Sequence, residues 1–189
     1  MDAFVAMHHY IGNNEYRLLH VESKLLEHDN DIKLLQSSFN KFEERKKINE
    51  IYFNGQIYDA YSKIIDIFND AKRELIIIDS YADNTILDII KRLNIKVIII
   101  TKKDNYLTHQ DIIKYNKQYH NLNVIYDNTF HDRYFIIDTK EVYHCGTSIN
   151  RIGHKTFSIT LMNDDDITQP LINKIKILTH NKKSNKINM

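Results

Sequence analysis

Proline occurs once in the 189 residues, cysteine once and glycine four times. A lone cysteine, Cys145, cannot close an internal disulfide, and the paired cysteines of a zinc site are missing. Lying between strand-like residues and Gly146, it reads as a buried structural thiol rather than a nucleophile. No glycine pattern matches a Walker loop or a dinucleotide fingerprint, and the histidines are too scattered for a metal cage. Ser148 has no nucleophile-elbow context, which excludes the usual Ser-His-Asp hydrolase. No segment reaches the roughly 18 uninterrupted apolar residues that span a bilayer, and no basic leader follows Met1-Asp2. The expectation is a cytoplasmic protein without a membrane partner. A formal net charge of +1 supplies no bulk basicity, so any contact with nucleic acid must be local.

What is present is a 42% share of hydrophobic residues, enough to fill a core, arranged in three parts. Residues 1–50 read as a helical, coiled-coil dimerisation segment, 51–180 as an α/β domain, and 181–189 as a basic disordered tail. Phe4, Met7, Ile11, Asn14, Leu18, Val21, Leu25, His28, Ile32, Leu35, Phe39 and Phe42 recur at spacings of three and four, the heptad seam. Gly12-Asn13-Asn14 is the expected break, leaving residues 15–47 as the dimerising portion. At about 1.5 Å per residue that portion spans roughly 50 Å, too long to fold back on one small domain. A parallel homodimer is expected, with Asn14 and His28 as polar seam positions that set register. The competing reading is a single amphipathic helix packed on the globular part. Glu43-Glu44-Arg45-Lys46-Lys47 reads as the solvated helix end and linker.

From Ile51 short strands alternate with helices. Ile51-Tyr52-Phe53 ends at the Asn54-Gly55 turn, and Ile57, Ala60, Tyr61, Ile64, Phe68 and Ala71 mark a helix face. Leu75–Asp79 and Val97–Ile100 are apolar runs expected of strands covered on both faces, with helices near 84–93 and 108–119 between and after them. Strands follow at 124–126, in the 131–138 stretch, near 141–145 and at Phe157–Leu161, before a last helix through Ile167, Leu171, Ile172, Ile175 and Leu178. This order argues a mainly parallel mixed sheet flanked by helices. Ligands of such sheets sit beyond the carboxyl ends of strands, where Asp79-Ser80-Tyr81 either lines the mouth or caps a turn. His154-Lys155 meets a phosphate there or is a solvated loop.

The chemistry concentrates in His131-Asp132-Arg133-Tyr134-Phe135-Ile136-Ile137-Asp138. Side chains alternate along a strand, so His131 and Arg133 share a face. An imidazole attacks phosphorus or protonates a leaving oxygen, and an arginine grips two phosphate oxygens at once. The bland alternative is a pair of surface residues on an edge strand.

His131, Arg133 and Asp138 resemble one half-site of the phospholipase D superfamily, whose motif is His-x-Lys, four residues, then Asp; arginine stands here for the lysine. Gly146-Thr147-Ser148-Ile149-Asn150 resembles the Gly-Ser-x-Asn turn that follows, with Ser-x-Asn two residues late. The flanks, from Asn54–Tyr61 through Ile76–Tyr81 and Val142–Gly146 to Lys155–Phe157, resemble the C-terminal domain of phage-type KilA-N-related or RhuM-like regulatory proteins. Met1–Met7 is similar to the last helix of the DNA-binding domain that precedes it there.

The resemblance implies a phospholipase D-like half-domain behind a long coiled-coil helix, with no metal and no cofactor. It implies His131, Arg133 and Asp138 as catalytic positions, and Arg133, Ser148 and Asn150, joined by Lys155, as phosphate-binding positions. Three functions then compete. One is a dimeric accessory module that holds phosphate or DNA backbone without efficient turnover. The second is a homodimeric phosphodiesterase or nuclease in which His131 forms a phosphohistidine and the partner's His131 protonates the leaving oxygen. In that reading Arg133 stabilises the phosphoryl charge and Asp138 positions an imidazole. The third is a structural oligomerisation module.

Overall fold

Apolar runs such as Leu75–Ile78 and Val97–Ile100 need cover on both faces, and the computed structural model places them at the heart of a seven-stranded sheet. The structure describes residues 2–43, 49–104 and 106–184. Helix α1 (Ala3–Glu43) precedes β1 (Asn49–Tyr52), α2 (Ile57–Asn69), β2 (Glu74–Ile78), α3 (Asn84–Ile90), β3 (Lys96–Thr101), α4 (His109–Tyr119) and β4 (Leu122–Tyr126). Then come β5 (Arg133–Ile137), β6 (Glu141–Cys145), a 3₁₀ turn at Ile149–Arg151, β7 (Phe157–Met162) and α5 (Asp165–Ser184). By contacts the chain divides into two units, Met1–Lys46 and Lys47–Met189.

The first unit is α1 itself. It runs unbroken through Gly12-Asn13-Asn14, correcting the expected break: one glycine costs a helix only about 1 kcal/mol, which the turns on either side absorb. Its described side chains are exposed, seam residues Ile11, Leu18, Val21, Leu25, Ile32 and Leu35 among them. The side chains of Phe39 and Phe42, residues 44–47 of the charged run and residues 185–189 of the basic tail lie outside the described residues.

In the second unit the strand order is β1-β7-β6-β5-β2-β3-β4. The expected α/β architecture, a mixed sheet flanked by helices, holds, but its parallel part is confined to β2, β3 and β4, so the sheet is mixed rather than mainly parallel. Strands β5, β6 and β7 follow one another through a tight turn and a short connection, and such links join antiparallel neighbours. The tight turn has Asp138 and Thr139 at φ 53° and 57°, with Lys140 N–H bonded to the Ile137 carbonyl at 2.9 Å, the I′ pattern that suits twisted strands.

Period two persists within the apolar runs. Leu75, Ile77, Val97, Ile99 and Phe135 pack with Ala60, Ile64 and Phe68 of α2 and Ile86 and Ile90 of α3. Ile76, Ile78, Ile98, Ile100 and Ile136 pack on the other face with Ile172 and Ile175 of α5. Each such side chain, fully buried, contributes about 1.5–3 kcal/mol, so these two layers fix the sheet. Helix α5 continues to Ser184, and residues 181–184 are thus helical where a disordered tail was expected. Among the described residues no helix is long and apolar enough to cross a membrane.

Strand polarity decides where chemistry can gather. The carboxyl ends of β2, β3 and β4 share one edge of the sheet. Because β5 runs antiparallel to β2, with Tyr134 opposite Ile78, β5 begins at that same edge. Cys145 faces Arg133 and Ile159 faces Cys145, so β6 ends there and β7 starts there.

Candidate phosphate-binding site

Asp79 is the hub of that edge. It ends the apolar run of β2 and is 0% exposed, yet both its oxygens are used. Oδ2 accepts from the Ser148 hydroxyl at 2.7 Å and from Ile149 N–H at 2.9 Å, and Oδ1 accepts from Tyr81 N–H at 3.0 Å. Burial pushes its carboxyl above the usual carboxylate range; these three hydrogen bonds and the Arg133 charge oppose that push without cancelling it. Ser80 Oγ donates to the Phe130 carbonyl at 3.0 Å, which ties down the chain one residue before His131. Asn150 Nδ2 donates to the Tyr81 carbonyl at 3.1 Å. Three consecutive residues therefore hold the loops after β4 and β6 in place.

Above this hub lies Arg133, the first residue of β5. Its guanidinium carbon stands 5.6 Å from the centre of the Tyr81 ring, and its Nε is buried without a hydrogen-bond partner. Lys102 Nζ approaches the same ring at 5.1 Å. A guanidinium held over an aromatic face is oriented before any ligand arrives, which lowers the entropy lost when it grips an anion. Asn150 Oδ1 is a second buried polar atom without a partner at this edge.

His131 precedes β5 rather than lying on it, so strand alternation does not fix its direction. Its side chain is 97% exposed, and Nδ1 sits 3.4 Å from Asp132 Oδ1, beyond ordinary N–H···O length. Lys155 is exposed on the loop before β7, at the same edge.

Three assignments are corrected. Asp138 lies at the opposite end of β5, roughly 16 Å from Arg133 along the strand, and cannot position an imidazole. Its carboxylate accepts from the backbone N–H groups of Lys72, Arg73 and Glu74 at 3.0, 2.8 and 2.9 Å, which caps the start of β2. Burial pushes its carboxyl up, but those three backbone donors and the Arg73 charge together hold it below the usual carboxylate range. Ser148 is 3% exposed with its hydroxyl spent on Asp79, so it orients that acid instead of binding phosphate. Asn150 likewise holds the Tyr81 loop.

Cys145 is buried, as expected; desolvation pushes its thiol up to about 12, and its S–H donates to the Thr147 carbonyl at 3.2 Å. His144 packs edge-to-face on Tyr134 at 5.5 Å, a structural role. Among the described residues no three His, Cys, Asp or Glu side chains gather as metal ligands. The sequence left Asp79-Ser80-Tyr81 between lining this mouth and capping a turn, and carried no sign of Lys102. An acid ending a run of four buried apolar residues was the available signal, since such a group is retained only when its hydrogen bonds are satisfied.

No family model matches the chain, and no curated protein matches it. Among solved structures it is similar to NucT from Helicobacter pylori, with a TM-score of 0.55 and 18% identity over 70% of this chain and 95% of that one. It is also similar to TrmBL2, an archaeal chromatin protein whose structure is described as showing a novel mode of DNA binding. There the TM-score is 0.51 and identity 15%, over 93% of this chain and 69% of that one. At these identities the likeness establishes the fold.

Proposed function

We propose that this chain is a phosphate-gripping module that holds nucleic-acid backbone at the sheet edge, working as a homodimer joined through α1. The observation that carries the reading is Arg133, a half-buried guanidinium over the Tyr81 ring at 5.6 Å whose charge acts on the buried Asp79. A phosphodiester offers two oxygens to its Nη donors, and His131 and Lys155 supply further donors at the rim. Balanced overall charge limits long-range steering, so affinity rests on this local grip. TrmBL2, which shares the fold over most of this chain, is itself described for DNA binding, in keeping with the proposal. A role as accessory module of a phage- or mobile-element-type DNA-binding protein belongs to the same proposal and rests on the flanking resemblance alone.

The exposed His131 favours one further reading, a metal-independent phosphodiesterase. An unprotonated ring nitrogen would attack phosphorus as the P–O bond to the leaving group breaks. The partner's His131 would protonate the departing oxygen and then take a proton from the water that releases the phosphomonoester from the phosphohistidine. The binding module stands ahead of it because, among the described residues, no carboxylate lies within 3.2 Å of the imidazole to orient it, Asp132 being 3.4 Å away.

The test pairs binding with cleavage. Anisotropy of a fluorescein-labelled oligonucleotide should show Arg133→Ala weakening affinity by about 10- to 150-fold, the weight of one charge-assisted contact. Unchanged affinity overturns the proposal in favour of a structural module. Cleavage in EDTA that His131→Ala abolishes would establish the enzyme.

A further inference from the structure

An open groove of about 600 Å³ lies at the carboxyl ends of β3 and β4, lined by Lys102, Lys103, Asp104, Tyr126, Asp127 and Asn128. It sits next to the Arg133 site, because Lys102 and Arg133 flank the same Tyr81 ring at 5.1 and 5.6 Å. Its volume falls within the range of small-molecule sites and suits one nucleotide. The lining combines three chemistries. Tyr126, 37% exposed, offers an aromatic face, with Tyr81, 44% exposed, at the neighbouring strand end. Lys102 and Lys103 carry positive charge for a backbone phosphate. Asp104 and Asn128 bring side-chain oxygens that accept from N–H groups, while Asp127 Oδ1 already accepts from the Thr129 N–H at 2.8 Å and hydroxyl at 2.5 Å.

This mixture discriminates among phosphate-bearing ligands. A lipid phosphodiester needs a continuous apolar wall, which these residues do not form. A bare polyphosphate has no donors for the carboxylates and would be repelled by them. An unpaired nucleotide satisfies all three: its base stacks on tyrosine, its amino group donates to a carboxylate or amide oxygen, and its phosphate meets lysine.

Resting on the reading of Arg133 as a backbone grip, we infer that this groove is a base-binding subsite for the nucleotide next to the phosphodiester held at Arg133. The ligand of the edge is thus a nucleic-acid strand with an unstacked base, not an arbitrary phosphodiester.

The test uses the full chain, a short single-stranded fluorescein-labelled oligonucleotide and inorganic polyphosphate as competitor. Tyr126→Ala should weaken oligonucleotide binding by about 5- to 150-fold, the range for one lost stacking partner, and leave the polyphosphate competition constant unchanged. Tyr126→Phe keeps the aromatic face and should bind as wild type. Lys102→Gln combined with Lys103→Gln should flatten the dependence of log K on log salt by about 1.4, the value for two single-strand phosphate contacts. Binding that Arg133→Ala weakens but neither groove variant alters overturns the subsite and leaves the grip standing. Absence of oligonucleotide binding by the wild type overturns both. Should Tyr126→Ala lower the thermal midpoint, the lysine pair and the phenylalanine variant decide the matter.

Discussion

Gly153 is the position where one methyl group should do most damage. Its φ of +75° lies in the left-handed region, and an added Cβ would stand 2.5 Å from Ile57 Cγ1, 2.7 Å from Ile57 Cα and 3.0 Å from Ile57 Cβ. The left-handed conformation costs a non-glycine residue about 1–2 kcal/mol. Overpacking adds about 1–3 kcal/mol, because the Cα of Ile57 belongs to the backbone and cannot rotate away. Reduced freedom of the unfolded chain returns roughly 0.4–1 kcal/mol. The net loss for Gly153→Ala is therefore about 2–4 kcal/mol, a large part of the 5–15 kcal/mol typical of a domain. At about 2–4 °C per kcal/mol, the thermal midpoint should fall by roughly 5–15 °C. Circular dichroism melting reads this directly, with Gly12→Ala as control: nothing lies within 4 Å of its added Cβ, and alanine favours the helix. Ile57→Ala in the Gly153→Ala background should restore only part of the loss, since the backbone contact stays. A midpoint for Gly153→Ala within about 1 °C of wild type would refute the reasoning. The effect should reach the site as well: the Gly153 carbonyl accepts from Gly55 N–H at 2.9 Å, and the loop it anchors carries the Ser148 and Ile149 donors of Asp79.

Asp138→Ala should destabilise by about 1–3 kcal/mol, because backbone donors at the start of β2 lose their acceptor and the residue at φ 53° loses a side chain that tolerates that conformation. Its folded-state carboxyl is held low, so its contribution is present above the unfolded value near 3.9 and is lost as pH falls through the lower folded value. Urea melts between neutral pH and about pH 3 should show that acid loss in wild type and not in Asp138→Asn. Asp79 has the opposite sign: burial raises its folded-state value, so its ionisation lowers stability as pH climbs from the unfolded value through the folded one. Asp79→Asn should remove that slope while leaving Tyr81 N–H facing an amide or losing one hydroxyl contact, a penalty of about 1–3 kcal/mol in urea melts at neutral pH. Cys145 should react with a thiol reagent only at the rate of unfolding; fast labelling of the native protein would contradict its burial. Leu25→Glu, placing a charge on the α1 seam, should convert a dimer to a monomer by light scattering; an unchanged mass would rule out that seam.

The α/β order was legible because each element carries its own period. The stripe Ala60, Ile64, Phe68 repeats at helical spacing, and the runs at 75–78 and 97–100 can bury both faces only inside a sheet. Which strands pair is less legible, since pairing is a long-range property: Ile78 lies opposite Tyr134 because β5 inserts beside β2, and no local signal carries that. Arg133 could be found from its motif. Tyr81 was legible as a residue of the mouth but not as the ring that Arg133 and Lys102 flank, which arises only when the β2 end, the β5 start and the β3 end meet. The helix through Gly12-Asn13-Asn14 was misjudged for a simpler reason, a local propensity weighed without the length of regular helix around it.

Histidine and aspartate seven positions apart on an extended chain stand roughly 23 Å apart, out of reach of any shared hydrogen bond. On one strand such a pair cannot be an acid–base couple within a single chain; it marks the two ends of a strand of fixed length. Here the aspartate seals the far end by capping the start of β2, and the histidine's segment is held at the near end through Ser80 and Phe130. The spacing thus encodes a clamp on β5. Asp79 stands at the same sheet edge as the start of β5 because β2 and β5 are antiparallel, which brings the carboxyl end of one to the beginning of the other.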